Sequence, residues 1–224
     1  DIKNRWAAFK KKKIEIIYYS LNTKNIKLSN KIINDFKFNK PLRLGYIGNI
    51  SSIEGLDRVI HLINTKSSKN KFELHIHGFG SYEKKLQEIV RLNSYQNIFF
   101  HGEFERSELR TIYNDIDIVV IARIPIEICE KVTPLKPLEA IINKKPVICS
   151  NVNGILELFD YKTDLIYFFD KNKDDSLLKT LNKCLTLNKK ELGDQNKKAI
   201  NFIKANRCWD ANTKKYKEIY GFKN

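Results

Sequence analysis

The sequence predicts an α/β fold, a doubly wound parallel sheet with helices on both faces, and three observations predict it. From Leu42 to about Ser150, short β-type runs alternate with helical patterns, the order that feeds parallel strands through crossover helices. The run Ile116 to Ile121 is β-branched apart from Asp117, as a strand buried on both faces requires. The runs that end at Ile47, His77 and His101 each close on a glycine, which permits a tight turn at a strand end.

Taken in order, Arg5 to Lys13 is basic and helical in pattern, Ile14 to Tyr19 reads as one strand, and Asn22 to Asn39 is polar with little pattern. These residues read as the tail of a preceding domain plus a linker. The predicted division is therefore 1–39 and a domain over 40–224. The chain begins at Asp1 and contains no methionine, so a fragment of a longer protein is expected.

The first strand of that domain is Leu42 to Ile47. Leu56, Val59, Ile60 and Ile63 then repeat at i, i+3, i+4, i+7, one apolar stripe of a helix. The strand Phe72 to His77 ends at Gly78-Phe79-Gly80, and Ser81 is placed to cap a helix carrying Leu86, Ile89 and Val90. Ile98 to His101 is the third strand, followed by a helix opened by Ser107 with Leu109, Ile112 and Tyr113 on one face. After Ile116 to Ile121 an irregular loop is expected to Thr133, then a helix to about Ile142 and a strand from Pro146 to Cys149. Leu165 to Phe169 supplies a sixth strand, and helices follow around Leu177 to Leu185, Leu192 to Ile203 and Trp209 to Tyr220.

Composition narrows the function classes. Hydrophobic residues make up 42% and charged residues 30%, enough for a proper core and inconsistent with disorder or a fibrous repeat. No apolar run approaches the roughly 20 residues needed to span a bilayer. Cys129, Cys149, Cys184 and Cys208 show no C-x-x-C pairing, which argues against a zinc site or a disulfide framework and fits a reducing cytoplasm. His75 and His77 share one strand face, but without a third ligand nearby they read as strand histidines rather than a metal pair. A net charge of +15 favours an acidic partner, whether phosphate, anionic lipid or nucleic acid. The lysines are scattered rather than gathered on one helix, so charge alone does not choose among these.

Ligands of open parallel sheets bind beyond the carboxyl ends of the strands. That places Gly48-Asn49, Gly78-Phe79-Gly80, Gly102-Glu103-Phe104 and the loop from Ala122 to Thr133 where chemistry should be. Gly78-Phe79-Gly80 lacks the last glycine of the dinucleotide fingerprint, because position 83 is Glu, so a nicotinamide or flavin site is poorly supported. Thr133 is an expected N-cap and Pro134 suits the first helical position, which would leave the amides of Leu135 and Lys136 free for an anion. Lys136 and Glu139 are helical neighbours, a cation for phosphate beside a carboxylate that can accept two hydrogen bonds from a ribose diol. Arg123 follows directly on the fourth strand, where a guanidinium could grip a diphosphate. The residues alone leave open an ordinary surface Lys–Glu pair and a solvated strand-end arginine.

In these segments the chain resembles the retaining GT-B glycosyltransferases of the group 1, family 4 type, a family that includes capsule and envelope polysaccharide enzymes. The resemblance runs from about Lys12 to Tyr220 and rests on the order and spacing of Gly-Tyr-Ile-Gly at 45–48, Ile-Glu-Gly-Leu-Asp at 53–57, His-Gly-Phe-Gly at 77–80, Phe-His-Gly-Glu-Phe at 100–104, Thr133 to Ala140, Lys-Pro-Val-Ile at 145–148 and a closing Trp209, Tyr216 and Tyr220. It implies the C-terminal, Rossmann-like half of a GT-B fold, binding a nucleoside-diphosphate sugar, a UDP-sugar above all, with no separate cofactor and no metal. By the same resemblance Arg123 and Lys136 hold the diphosphate, Glu139 the ribose and Glu130 the hydroxyls of the transferred sugar. Gly102 to Phe104 face the base, and Gly48-Asn49 approach the phosphates, with Gly78, Thr133, Pro134 and Leu135 around them.

The sequence departs from the family's commoner pattern in three places. Asn49 and Glu54 stand where many members carry phosphate-binding Arg and Lys, and Lys131 breaks the usual pair of glutamates eight apart. The implied setting is the cytoplasmic face of a membrane, with a glycan or lipid-phosphate acceptor, peripheral membrane contact and no nucleic acid. The facing domain is expected to lie outside the chain, which would bind donor with little turnover alone. Two other classes remain at this level: a sugar-nucleotide epimerase of similar build, which would need acid-base residues that these loops scarcely offer, and a non-catalytic basic α/β module binding polyanions.

Overall fold

The computed structural model describes residues 17, 20, 21, 40–68 and 70–221. Six strands form one wholly parallel sheet: β1 (Leu42–Ile47), β2 (Phe72–His77), β3 (Ile98–Gly102), β4 (Ile118–Ile121), β5 (Val147–Ser150) and β6 (Tyr167–Phe169). Their order across the sheet is β3-β2-β1-β4-β5-β6. The reversal of winding falls between β1 and β4, which opens a crevice at their carboxyl ends.

Alternation along the strands builds two cores. Leu44 and Tyr46 of β1, Ile118 and Val120 of β4 and Ile148 of β5 face one side, against Leu56, Val59, Ile60 and Ile63 of α1 (Leu56–Ile63), Leu86 of α2 (Glu83–Leu92) and Leu177 and Leu181 of α7 (Asp174–Thr186). Ile47, Val119, Ile121, Val147 and Cys149 face the other. There they meet α3 (Leu109–Asp115), α4 (Glu127–Lys131), α5 (Lys136–Ile142), α6 (Asn153–Leu158) and α8 (Lys189–Asn206). The helix α9 (Trp209–Tyr220) follows α8, buries none of its residues and leaves Trp209, Tyr216 and Tyr220 exposed. Leu21 is tied to this end of the chain: its amide donates to the Arg207 carbonyl at 3.0 Å and its carbonyl accepts from the Trp209 amide at 3.1 Å. All four cysteines are buried free thiols. Among the described residues no helix is long and apolar enough to cross a membrane. The expected strand at Ile14 to Tyr19 and helix at Arg5 to Lys13 lie outside the described residues, save Ile17.

Several boundaries differ from the sequence reading, each for an identifiable physical reason. The second helix starts at Glu83 with Tyr82 at its N-cap, not at Ser81, because the Tyr82 amide is taken by the Ile50 carbonyl of the neighbouring loop at 3.1 Å. The turn Arg106–Glu108 is 3₁₀, and its cap is Glu105 in a reciprocal box with Glu108, so Ser107 lies inside it. The fourth strand begins at Ile118 because the carboxylate of Asp117 accepts the Arg43 amide at 2.8 Å, where a strand carbonyl would otherwise pair.

The loop expected between Ala122 and Thr133 contains α4, a single turn in which Ile126 accepts from the amides of Cys129 and Glu130. The helix α6 has no local start signal. Its first amide, that of Asn153, donates to the Glu130 carboxylate 2.7 Å away, a cap brought from another part of the chain.

Gly55 joins a short 3₁₀ turn, Ser52–Glu54, to α1 at φ +64°, and a Cβ added there would lie 2.2 Å from the Ala122 carbonyl oxygen. Both the left-handed backbone and the contact with main chain oppose a side chain at this position. Gly55→Ala is predicted to lower the unfolding free energy by about 2 kcal/mol or more, measured from urea denaturation midpoints at constant slope.

Candidate functional site

The carboxyl ends of β1, β2 and β3 are stitched edge to edge by backbone that only glycine accommodates. Gly48, at φ +136°, donates to the His77 carbonyl at 2.9 Å, and Gly78 donates to the Gly102 carbonyl at 2.7 Å. A Cβ on Gly78 would stand 2.0 Å from the Gly48 carbonyl oxygen. Gly102 faces open space, and Asn49 is exposed at the rim with its carbonyl accepting from the Tyr46 hydroxyl at 2.6 Å.

Across this floor lies Lys136. A Cβ on Gly48 would come within 2.6 Å of Lys136 Cε, so the absence of a side chain at 48 is what lets the lysine cross. Its ammonium sits 5.0 Å from the centre of the Tyr46 ring and 2.8 Å from Glu54 Oε1. The same Glu54 oxygen lies 3.5 Å from Arg123 Nη2. Arg123 Nη1 donates to the Val132 carbonyl at 3.1 Å, and the Arg123 carbonyl accepts from Ser150 Oγ at 2.8 Å.

One carboxylate thus gathers both predicted cations. Arg123 is the deeper, its side chain 9% exposed against 20% for Lys136, so the guanidinium stands behind the ammonium instead of at a solvated strand end. Burial pushes the Lys136 ammonium below the usual lysine range and Glu54 pulls it back up. The Tyr46 phenol is held far above its ordinary range by burial first and by the Glu54 carboxylate second.

The helix expected to start at Thr133 starts at Lys136, with Leu135 at the N-cap and Pro137 in its first turn. Pro134 is buried and Arg123 ties down Val132, so the segment that leads into the helix is anchored, and Leu135 already has right-handed helical backbone angles. The first intrahelical bond runs from the Glu139 amide to the Leu135 carbonyl, so the Leu135 and Lys136 amides precede it. Glu139 is exposed at its outer surface, yet partial burial of its carboxyl raises it above the usual carboxylate range, with Lys136 and Arg106 opposing. Glu130 points at α6: one oxygen accepts from the Asn153 amide and the other lies 2.6 Å from Lys171 Nζ. Phe104 is half-buried against the second core.

The structure therefore unites Gly48, Lys136 and Arg123, and sets Glu130 and Glu139 on the flanks of the same helix approach. Sequence reasoning named Glu54 only as a departure from the family's pattern and gave no role to Tyr46 or Lys171. Glu54 carried a usable signal, a carboxylate just before a glycine in the first post-strand loop.

The sheet order and its flanking helices match a known class. The Glycosyl transferases group 1 family model matches residues 29–205, and the chain belongs to that family. An uncharacterized glycosyltransferase of Methanocaldococcus jannaschii is 22% identical over 170 residues, a match covering 72% of this chain and 42% of the relative. Among solved structures, the C-terminal domain of the group 1 family protein LpcC of Francisella tularensis gives a TM-score of 0.64 at 16% identity, covering 84% of this chain and 99% of that domain. HepE of Anabaena in complex with UDP gives 0.70 at 17% identity, covering 92% of this chain and 57% of that one. TarM of S. aureus with fondaparinux, alpha-GlcNAc-glycerol and UDP gives 0.68 at 18%, covering 97% and 42%. The shared feature is the Rossmann-like domain of the GT-B fold.

Away from this cluster, β2 and β3 carry a row of rings. His75 Nδ1 is 3.0 Å from His101 Nε2, His77 stacks on His101 at 4.1 Å, and Phe99 stacks on His75 at 4.9 Å. Glu73 Oε2 lies 3.4 Å from His75 Nε2. Among the described residues no group of three or more His, Cys, Asp or Glu is arranged to hold a metal.

Burial, with His101 and His75 beside it and only Asp115 opposing, lowers His77 from 6.5 to about 4. The unfolded chain then binds this proton more readily than the folded one. The stabilisation is present above pH 6.5 and is lost as pH falls toward 4. His77→Gln is predicted to remove about 1 kcal/mol of the loss in stability between pH 7 and pH 5, read from urea midpoints, whereas curves parallel to wild type would refute the assignment.

Proposed function

We propose that this chain is the donor-binding half of a metal-independent, retaining glycosyltransferase. It takes a UDP-sugar at the cytoplasmic face of a membrane and serves a glycan or lipid-linked acceptor in surface polysaccharide synthesis. The observation that carries the reading is the pair of cations, Lys136 and Arg123, gathered by Glu54 over the glycine floor at the carboxyl end of the sheet. The bound UDP named for the HepE and TarM structures supports the choice of nucleotide.

When the bond from the anomeric carbon to the diphosphate oxygen breaks, negative charge gathers on that oxygen. Fixed cations in a partly desolvated cleft oppose that charge without reorganising, which is the largest electrostatic contribution a binding domain can make. Lys136, the more exposed of the two, meets the phosphate, and Arg123 adds its charge from behind. These two supply the positive charge that a divalent ion supplies elsewhere. Glu139 accepts the ribose hydroxyls from its exposed position. Glu130, oriented by Asn153 and Lys171, spends two of its roughly four acceptor sites on the protein and offers the others to the sugar. Gly102 leaves room for the base, and Phe104 borders it.

The match spans 42% of the length of the curated relative, and in this reading the acceptor side is supplied by a part of the protein other than this domain. The chain by itself is therefore expected to bind UDP and to transfer little or no sugar. In isothermal titration UDP should bind more tightly than GDP, and Lys136→Ala and Arg123→Ala should each weaken UDP about tenfold or more. Affinity unchanged in both variants refutes the site.

A further inference from the structure

Glu54 is an unusual neighbour for a phosphate. It is 3% exposed, the most deeply buried carboxylate among the described residues, and its Oε2 is buried without a hydrogen-bond partner. Burying a carboxylate so fully is costly unless cations compensate, and here two cations meet the single oxygen Oε1, at 2.8 Å from Lys136 and 3.5 Å from Arg123. The backbone on either side of Glu54 is packed on the segment that follows β4: Gly55 has no room for a Cβ beside the Ala122 carbonyl, and the Ile124 amide bonds the Ile53 carbonyl at 3.1 Å. The carboxylate is therefore fixed to the segment that carries Arg123. It does not swing freely.

We propose that Glu54 is a positioning residue for donor binding: its shared oxygen holds the Lys136 ammonium and the Arg123 guanidinium side by side and keeps Lys136 charged for the diphosphate. The inference rests on the donor-binding reading above. Two like charges placed together in a desolvated cleft repel each other, and the one that can shed its proton is the lysine. The groups facing Lys136 are Tyr46 from β1, Glu54 from the 3₁₀ turn, Arg123 from the end of β4, Cys129 from α4 and Glu139 from its own helix. Arg123 disfavours the ammonium, as burial does, while Glu54 and Glu139 favour it, Glu54 more strongly. Because the ammonium is more exposed than the carboxylate, a phosphate arriving from solvent meets the cation first.

The test uses the whole chain with its lysine side chains labelled with ¹³C, the Lys136 signal being assigned by its loss in Lys136→Ala. In the donor-free protein, Glu54→Gln should shift the Lys136 titration down by about one pH unit or more. From pH 7.5 to 9.5, where the UDP phosphates are ionised, the affinity of the same variant for UDP should fall at lower pH than that of wild type, by up to about tenfold for each unit of that shift. Glu54→Asp, which retains the charge on a shorter arm, should titrate between the two and carries the test if Glu54→Gln fails to fold. A Lys136 titration unchanged in the variants, or UDP bound more tightly at every pH, overturns the proposal. The two readings fail separately. Unaltered UDP affinity in both Lys136→Ala and Arg123→Ala refutes the donor site, whereas weakened binding there beside a wild-type Lys136 titration in Glu54→Gln refutes only the role of Glu54.

Discussion

The Oε1 atom of Glu54 draws together three segments that the chain order keeps far apart. The first post-strand turn supplies the carboxylate, the end of β4 supplies Arg123, and the start of α5 supplies Lys136. None of these charges is comfortable in a buried setting without the other two. Their mutual attraction fixes the approach to α5, because Arg123 also grips the Val132 carbonyl and so sets the path of Thr133 to Leu135. The glycine at 48 suits the same arrangement, since a Cβ there would crowd the Lys136 side chain on its way to Glu54.

The arrangement also explains how a cleft that contains a carboxylate can suit a polyanion. With Glu54 ionised, the trio carries one net positive charge, and its exposed member is the cation. In the proposed reading, Glu130 and Glu139 meet hydroxyl groups rather than phosphates. Glu130 is itself tethered by Lys171 and by the first amide of α6. Gly154 lets α6 lie close on the Cys129 and Val132 carbonyls, so the flank that carries Glu130 is packed against the segment that Arg123 holds. The cleft is thus one connected piece of structure.

The sheet was legible because its signals are local and strong. The β-branched run at Ile116 to Ile121, the i, i+3, i+4, i+7 stripe from Leu56 and the glycines at 48, 78 and 102 each place a strand or helix independently, and every strand expected from Leu42 onward is present. What eluded the sequence depends on distant partners: α6 is capped by Glu130, the second helix is delayed by Ile50, and β4 is trimmed by the side chain of Asp117. Lys136 and Arg123 were found from their places after strands and at a helix start. Their meeting through Glu54 was not, because nothing local reports that a surface-type residue will be buried by two partners 69 and 82 positions away.

A crystal structure of the chain grown with UDP would test the central claim most directly. The account predicts diphosphate oxygens about 3 Å from Lys136 Nζ, over the backbone of Gly48, with Arg123 still held by Glu54 behind them. Nucleotide bound elsewhere on the domain, or a Lys136 that remains on Glu54 with no phosphate in reach, would contradict it.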